Sequence, residues 1–395
     1  MQSEAVIQAI ATNPALFAVD ELVRIEVAKI KTSRLPSQFA YFQGGSQFHR
    51  VAVVCPVKAD MSHESELVAG LLWANKVSNG QKTVLYIVGE GFSPLFSYLV
   101  KMFGPRVEIR LAYYTPSLAQ TFVISNRKPE TEQIRFRVSR PQEPLVWAEK
   151  FNPVEKMSFQ AAINYFSSYS KQGIYISCME NWVSVKYKGL EVVRINKKEN
   201  RLRIALITRL PREIRACPGG REELEGWMNA QGELNADFVG AFKQRLTQLD
   251  ASELFSRVCP KQQQLEYTLL TQSANLGLCM PLYTNLDIAY SSDHSVNKPI
   301  GVDVLARSQA GKLVSIVIHP YKDLMGVVHS LLQLTWLELD FANIAANFFP
   351  ADCTLGAEVW LVCPQEQINP NLDILRSLVR SQEQIRVLTV DALIY

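Results

Sequence analysis

The stretch GVDVLARSQAGKLVSIVIHPYK, residues 301 to 322, reads as two strands, GVDVLAR (301–307) and KLVSIVIH (312–319), joined by the turn SQAG. A helix over Gln262 to Gln272 and a strand DIAYS (287–291) precede this pair. A longer helix over Leu324 to Ala342, the strand AEVWLVC (357–363), a helix over Asn371 to Val379 and the strand IRVLTVD (385–391) follow it. Helix, three strands and two helix–strand pairs is the order from which the rest of the chain can be read.

The same order opens the sequence. EAVIQAIATNPALF (4–17) suits one or two short helices broken at Asn13 and Pro14. LVRIEVAKI (22–30), QFAYFQ (38–43) and RVAVVCPV (50–57) read as consecutive antiparallel strands, with GGS (44–46) as the turn between the last two. Asp60 and Ser62 can cap a helix running from Glu64 to Val77, and strand TVLYIV (83–88), helix Leu95 to Met102 and strand VEIRLAYY (107–114) complete the set. VLYIVGEGFSPLFSYLVKMFGPRVEIRLAYY can be laid over VWLVCPQEQINPNLDILRSLVRSQEQIRVLTVD. RVAVVCPVK falls over LVSIVIHPYK, with Pro56 over Pro320 and Lys58 over Lys322. This pattern suggests a divergent internal duplication.

Between the two ends, FQAAINYFSSYS (159–170) reads as a helix. GIYIS (173–177), WVSVKYKG (182–189), LEVVRI (190–195) and RLRIALI (201–207) read as strands. Cys217 to Gly220 marks a break, and Glu222 to Leu249 reads as a polar, mostly helical connector interrupted near Gly232. GLEVVRINKKENRLRIALI also resembles GVDVLARSQAGKLVSIVI, as a partial third copy would. The expected organisation is an end domain over 1–125, a β-rich basic middle unit over 126–220, a connector over 221–255 and a second end domain over 256–395.

Composition narrows the function classes. A chain of 395 residues is too long for one ordinary core, and 48% apolar with 20% charged residues excludes a disordered or low-complexity protein. No apolar run is long enough to span a bilayer and no leader opens the chain, so a cytoplasmic protein without membrane contact is expected. None of the seven cysteines forms a C-x-x-C pair, which suits reduced, buried thiols. The net charge of +3 is unevenly spread: Lys186 to Arg221 holds eleven Lys or Arg against three acids, Ser330 to Tyr395 three against eight.

The usual chemical motifs fail. GEGFSP (89–94) has Pro94 where a dinucleotide fingerprint needs its third glycine, and Gly311–Lys312 is followed by Leu313 where a phosphate loop needs a hydroxyl. Neither a G-x-S-x-G elbow nor an H-E-x-x-H helix occurs, and His319 and His329 lack ligand spacing. No organic cofactor is expected.

On the residues 301–322, the flanking helices, LLQLTW and VWLVCP, the C-terminal region resembles the PD-(D/E)XK nuclease superfamily. It looks most like the nuclease domain of NucS-type (DUF91) endonucleases. The opening AIATNPALF is similar to the helix that begins such domains. The resemblance covers roughly 1–115 and 260–395. It implies a mixed α/β fold, with two restriction-endonuclease-like αβββαβ domains flanking the β-rich basic unit.

It further implies a site in which an Asp on one strand, an acid on the next and a Lys two positions later hold Mg²⁺ and an attacking water. Asp303 matches the first acid. Val317 and His319 stand where the other two belong, and Phe39, Val53 and Cys55 are the counterparts in the N-terminal copy. Glu266, Glu338 and Lys322 are the candidates for a relocated set. The expectation is therefore a nuclease fold without nuclease chemistry, with a Mg²⁺-dependent nuclease and a protein-interaction scaffold as alternatives.

The basic middle then becomes the candidate binding surface. Strict alternation puts Trp182, Ser184, Lys186 and Lys188 on one face of their strand and Val183, Val185 and Tyr187 on the other. With Arg194, Lys197, Lys198, Arg201 and Arg203, and with Arg209, Arg212 and Arg215 beyond, the cationic face suits phosphates, and Trp182 suits a stacked base. The expected partner is nucleic acid, DNA or RNA. A second copy of the chain or another protein is the alternative, through the acidic C-terminus meeting the basic middle.

Overall fold

The computed structural model describes residues 21–28, 39–45, 50–55, 63–79, 81–89, 92, 94–104, 106–115, 121–124, 134–138, 147–178, 182–198, 201–207, 223–228, 233–250, 255, 259, 261–292, 295–296, 300–322, 324–350, 353, 356–380 and 384–390. The opening helix, the caps Asp60 and Ser62, Pro56, Lys58, Arg209, Arg212, Arg215 and the break at Cys217 to Gly220 lie outside them. The fold is mixed α/β. Two compact units divide the chain: Met1–Arg137, Ile288–Ile300 and Ala310–Thr389 form the first, and Val138–Asp287, Gly301–Gln309 and Val390–Tyr395 the second. Among the described residues, no helix is long and apolar enough to cross a membrane.

The first unit opens with strands β1 (Glu21–Ala28), β2 (Phe39–Gly45) and β3 (Arg50–Cys55), helix α1 (His63–Ser78), strand β4 (Thr83–Gly89), helix α2 (Pro94–Leu99) and strands β5 (Val107–Thr115) and β6 (Thr121–Ile124). They make one sheet in the order β1-β2-β3-β4-β5-β6. β1, β2 and β3 pair antiparallel, β4 is parallel to both β3 and β5, and β6 turns back antiparallel. β4 is buried at every residue, which explains its unbroken TVLYIVG: a parallel strand covered on both faces has no polar side to show.

Strand β7 (Arg135–Val138) leads into the second unit. Helix α3 (Pro153–Ser167) is fixed at its start by a reciprocal box, in which Asn152 Oδ1 accepts from Glu155 N at 2.9 Å and Glu155 Oε2 accepts from Asn152 N at 3.3 Å. Strands β8 (Ile174–Cys178), β9 (Trp182–Tyr187), β10 (Leu190–Lys198), β11 (Arg201–Ile207) and β12 (Glu223–Gly226) form an antiparallel sheet ordered β12-β11-β10-β9-β8, followed by helix α4 (Ala236–Asp250). Val183, Val185, Ile195, Ile204 and Leu206 on one face pack with Phe159 and Phe166 of α3 and Phe238 and Phe242 of α4.

The stretch expected as a helical connector thus begins as an edge strand. Its glutamates suit an edge, where exposed charge discourages further pairing. A Cβ on Gly226 would lie 2.6 Å from the Phe238 ring, so glycine is what lets β12 and α4 close up.

Helix α5 (Lys261–Thr271) and strands β13 (Leu278–Ser292), β14 (Ser295–Val296), β15 (Ile300–Ser308) and β16 (Leu313–Ile318) follow. Helices α6 (Met325–Leu339) and α7 (Phe341–Phe348), strand β17 (Ala357–Pro364), helix α8 (Leu372–Leu378) and strand β18 (Ile385–Val390) complete the chain. The third sheet is ordered β14-β13-β15-β16-β17-β18, with β16 and β17 parallel. β13 starts nine residues earlier than the alternation of DIAYS shows. The single helix expected over 324–342 breaks at Asp340, which leaves helical geometry (φ −117°, ψ 17°) and accepts from Asn343 Nδ2 at 2.6 Å.

Inside the first unit the helices meet reciprocally. α1 packs on α6, α1 also meets α8, and α6 also meets α2. Phe103, just after α2, bridges Val379, just after α8, in antiparallel fashion. Gly104 N donates to Leu378 O at 2.6 Å, Arg380 N to Met102 O at 2.7 Å and Arg380 Nε to Phe103 O at 2.6 Å.

Candidate nucleic-acid interface

The antiparallel sheet of the second unit has two unlike faces. Registers across β8 to β12 place Tyr175, Ser177, Trp182, Ser184, Lys186, Arg194, Asn196, Lys198, Arg201, Arg203 and Glu225 on the side opposite the phenylalanine core, as the alternation of WVSVKYK requires. The expected polar face exists, but it is not uniformly cationic surface.

Lys186 departs most from expectation. It is 7% exposed, and its Nζ lies 3.0 Å from Glu266 Oε1 of α5 in a pair whose side chains are 9% and 7% exposed. Asn285 Nδ2 donates to the same oxygen at 3.3 Å, and the Lys186 ammonium sits 5.6 Å from the centre of the Tyr175 ring. Burial and the nearby Glu266 push the Tyr175 hydroxyl far above the ordinary phenol value. Lys186 is thus an interior cation, and this end of the face belongs to α5. Lys188 is half-buried, with its Nζ 3.1 Å from Asp250 Oδ1, an oxygen that also accepts from Tyr187. Burial lowers the Lys188 pKa, but the bonds to Tyr187 and Asp250 outweigh it and leave it raised.

Toward the other end the cations are arranged around aromatic rings. Arg194 donates through Nε (3.0 Å) and Nη2 (2.7 Å) to the two oxygens of Glu191, and its guanidinium lies 4.6 Å from the centre of the Trp182 ring. Trp182 is therefore covered on one side by arginine. Arg203 Nε donates to Glu225 Oε1 at 2.6 Å. Lys197 points to the other side, its Nζ donating to Lys150 O at 2.9 Å and lying 6.0 Å from the centre of the Phe151 ring. Lys198 and Arg201 are exposed and stand directly opposite each other where β10 and β11 meet their turn. Like charges facing across a strand pair are destabilising, and among the described residues neither has a carboxylate partner.

Two further residues near this sheet, one on each side, escape a reading of the sequence alone. Lys150 precedes α3 and joins Lys197 through its backbone carbonyl. Trp227 directly follows β12 and is 60% exposed. The alternation of ELEGW, with Leu224 and Gly226 facing one way and Trp227 the other, was the signal that could have marked it.

The acidic candidates lie on separate elements. Asp303, on β15, accepts from Gln262 Nε2 at 2.9 Å. Glu266 is committed to Lys186, and Lys322 is exposed, its carbonyl accepting from Asn369 Nδ2 at 2.7 Å. Val317 and His319 are buried in the first unit, with the His319 ring 5.7 Å from Tyr321 and 6.4 Å from His329. Glu338 is exposed on α6. The side chains of Phe39, Val53 and Cys55 lie outside the described residues. Among those described, no three of His, Cys, Asp and Glu gather as ligands for a metal ion. Asp303 bonded to the Gln262 amide, with no gathered set of ligands around it among the described residues, does not fit Mg²⁺, which demands several hard oxygens in octahedral array.

No family model and no curated protein matches the chain. Among solved structures it is similar to a repair endonuclease from Pyrococcus abyssi, at 9% identity and a TM-score of 0.20, over 65% of this chain and 99% of that one. It is also similar to a protein of Vibrio cholerae, at 9% identity and a TM-score of 0.22, over 85% of this chain and 78% of that one. Likenesses at this level do not define a shared family.

Proposed function

We propose that this chain binds nucleic acid, DNA or RNA, without cutting it. The observation that carries the reading is the turn end of β10 and β11, where Lys198 and Arg201 face each other in solvent. Phosphates lining that edge would turn the repulsion into binding energy. Lys150 and Lys197 extend the same charge on the neighbouring side.

The matching element order of the chain's two ends, and the reciprocal packing of α1, α2, α6 and α8, support a duplicated nuclease-like pair as the framework. Val317 and His319, standing where an acid and a lysine would be needed, support the reading without cleavage. Cys178, Cys259 and Cys363 are buried and form no disulfide among the described residues, which suits a reducing, cytoplasmic setting.

The test is fluorescence anisotropy on labelled single-stranded DNA, duplex DNA and RNA across a salt series, with and without Mg²⁺ or Mn²⁺, each endpoint run on a denaturing gel. Salt-sensitive binding with intact strands is expected. K198E/R201E should weaken it and lower the salt slope by about two, roughly one per cation removed. Cut strands, with cleavage abolished by Asp303→Ala, would overturn the reading in favour of a metal-dependent nuclease. Failure to bind at low salt, with oligomers that dissociate in salt, would leave a protein-interaction scaffold.

A further inference from the structure

We infer that the partner is a single strand, held by base stacking on a row of side chains crossing the sheet of the second unit. This rests on the nucleic-acid reading above and goes beyond it in naming the form of the strand and the residue that holds a base.

The register pairs Trp182 with Asn196 and Asn196 with Arg203. Ile204 pairs with Gly226, so carrying the β11/β12 register on by one residue sets Trp227 beside Arg203. Trp182, Asn196, Arg203 and Trp227 therefore form one line across four chain segments, all on the face away from the phenylalanine core. At 4.7–4.9 Å between neighbours the line spans about 14 Å. A sheet face of this kind, with aromatic rings at two points and cations between and beside them, is how two or three unpaired bases are held by stacking while their phosphates are neutralised.

Trp227 is the decisive residue. A tryptophan 60% exposed on an edge forgoes its burial energy, and one on a loose segment would gain nothing in return. Here the backbone is fixed: Trp227 N donates to Asn235 Oδ1 at 2.9 Å, Asn235 N donates to Trp227 O at 3.0 Å, and Met228 bridges Leu234. The indole is mounted on a rigid support, so little backbone freedom is lost when a base stacks on it. At the other end of the line Arg194, clamped by both oxygens of Glu191, lays a planar guanidinium over Trp182. Lys198 and Arg201 lie two residues along from Asn196 and Arg203 on the same face, where the strand's phosphates would run. A duplex hides its base faces and has no use for an exposed indole.

The experiment compares oligo-dT, oligo-U and a duplex of equal length, against the full chain and its W227A, W227F and K198E/R201E variants. Single strands should bind more tightly than duplex and should quench tryptophan fluorescence. W227A should weaken single-strand binding about tenfold, within the range for one stacked base, without changing the salt slope. W227F should keep most of the affinity and lose most of the quench. Because the side chain is exposed, circular dichroism should show W227A folded as the parent. Unchanged single-strand affinity in W227A, or a preference for duplex, overturns this inference while leaving nucleic-acid binding standing. Absence of any binding at low salt removes both.

Discussion

Lys186 and Glu266 show what one residue pair can hide from a sequence. Alternation places Lys186 on the polar face correctly, but nothing local reports that an acid 80 residues on will cover it. Burying two charges costs several kcal/mol each, which mutual attraction and the added bond from Asn285 repay only while both are present. Glu266→Gln leaves the ammonium of Lys186 without its counter-charge and should destabilise the protein by about 3–5 kcal/mol in urea unfolding. The double change Lys186→Met with Glu266→Leu should recover most of that. A Glu266→Gln variant as stable as the parent would mean that the pair is hydrated in solution. Asp303, by contrast, lies on the strand its alternation predicts, while its bond to Gln262 was not legible, because one amide among several on a polar helix carries no pattern.

At the scale of elements, most strands with alternating or continuous apolar runs were legible to within a few residues, β13 excepted, and RLRIALI falls on β11 residue for residue. What escaped were segments whose burial is set from outside. β12 has only four residues and a helical composition, and only its pairing with β11 makes it a strand. Its dependence on close packing is testable through Gly226, where the ring of Phe238 occupies the place of a Cβ. Gly226→Ala should cost about 1–3 kcal/mol by overpacking. It should also weaken single-strand binding beyond what stability explains, since it shifts the strand that carries Trp227. Chemical unfolding and anisotropy on the same samples would separate the two effects, and an unchanged midpoint would show that the α4 contact has slack.

At the scale of the whole molecule, the sequence showed that its two ends share an order of elements, but not that residues from both would belong to one compact unit. Such a meeting depends on contacts more than two hundred residues apart, of which Arg380 with Phe103 is one. The seam between Met102–Gly104 and Leu378–Arg380 should open as a single event. In hydrogen-exchange mass spectrometry, the peptides carrying the amides of Gly104 and Arg380 should exchange at a common rate, unaltered by Gly226→Ala in the other unit. Different rates, or a shift with that substitution, would show that the two sides loosen separately.

That seam also bears on how such a molecule changes over time. Two separate identical subunits meeting about a two-fold axis must match themselves, so every substitution appears on both sides of the contact at once. With Phe103 against Val379 and Gly104 against Leu378, the two sides already differ. A partner tethered in the same chain is present at a fixed effective concentration whatever the amount of protein, so the contact can be weaker and lopsided and still hold. Each side of the seam is then free to change without the other following it.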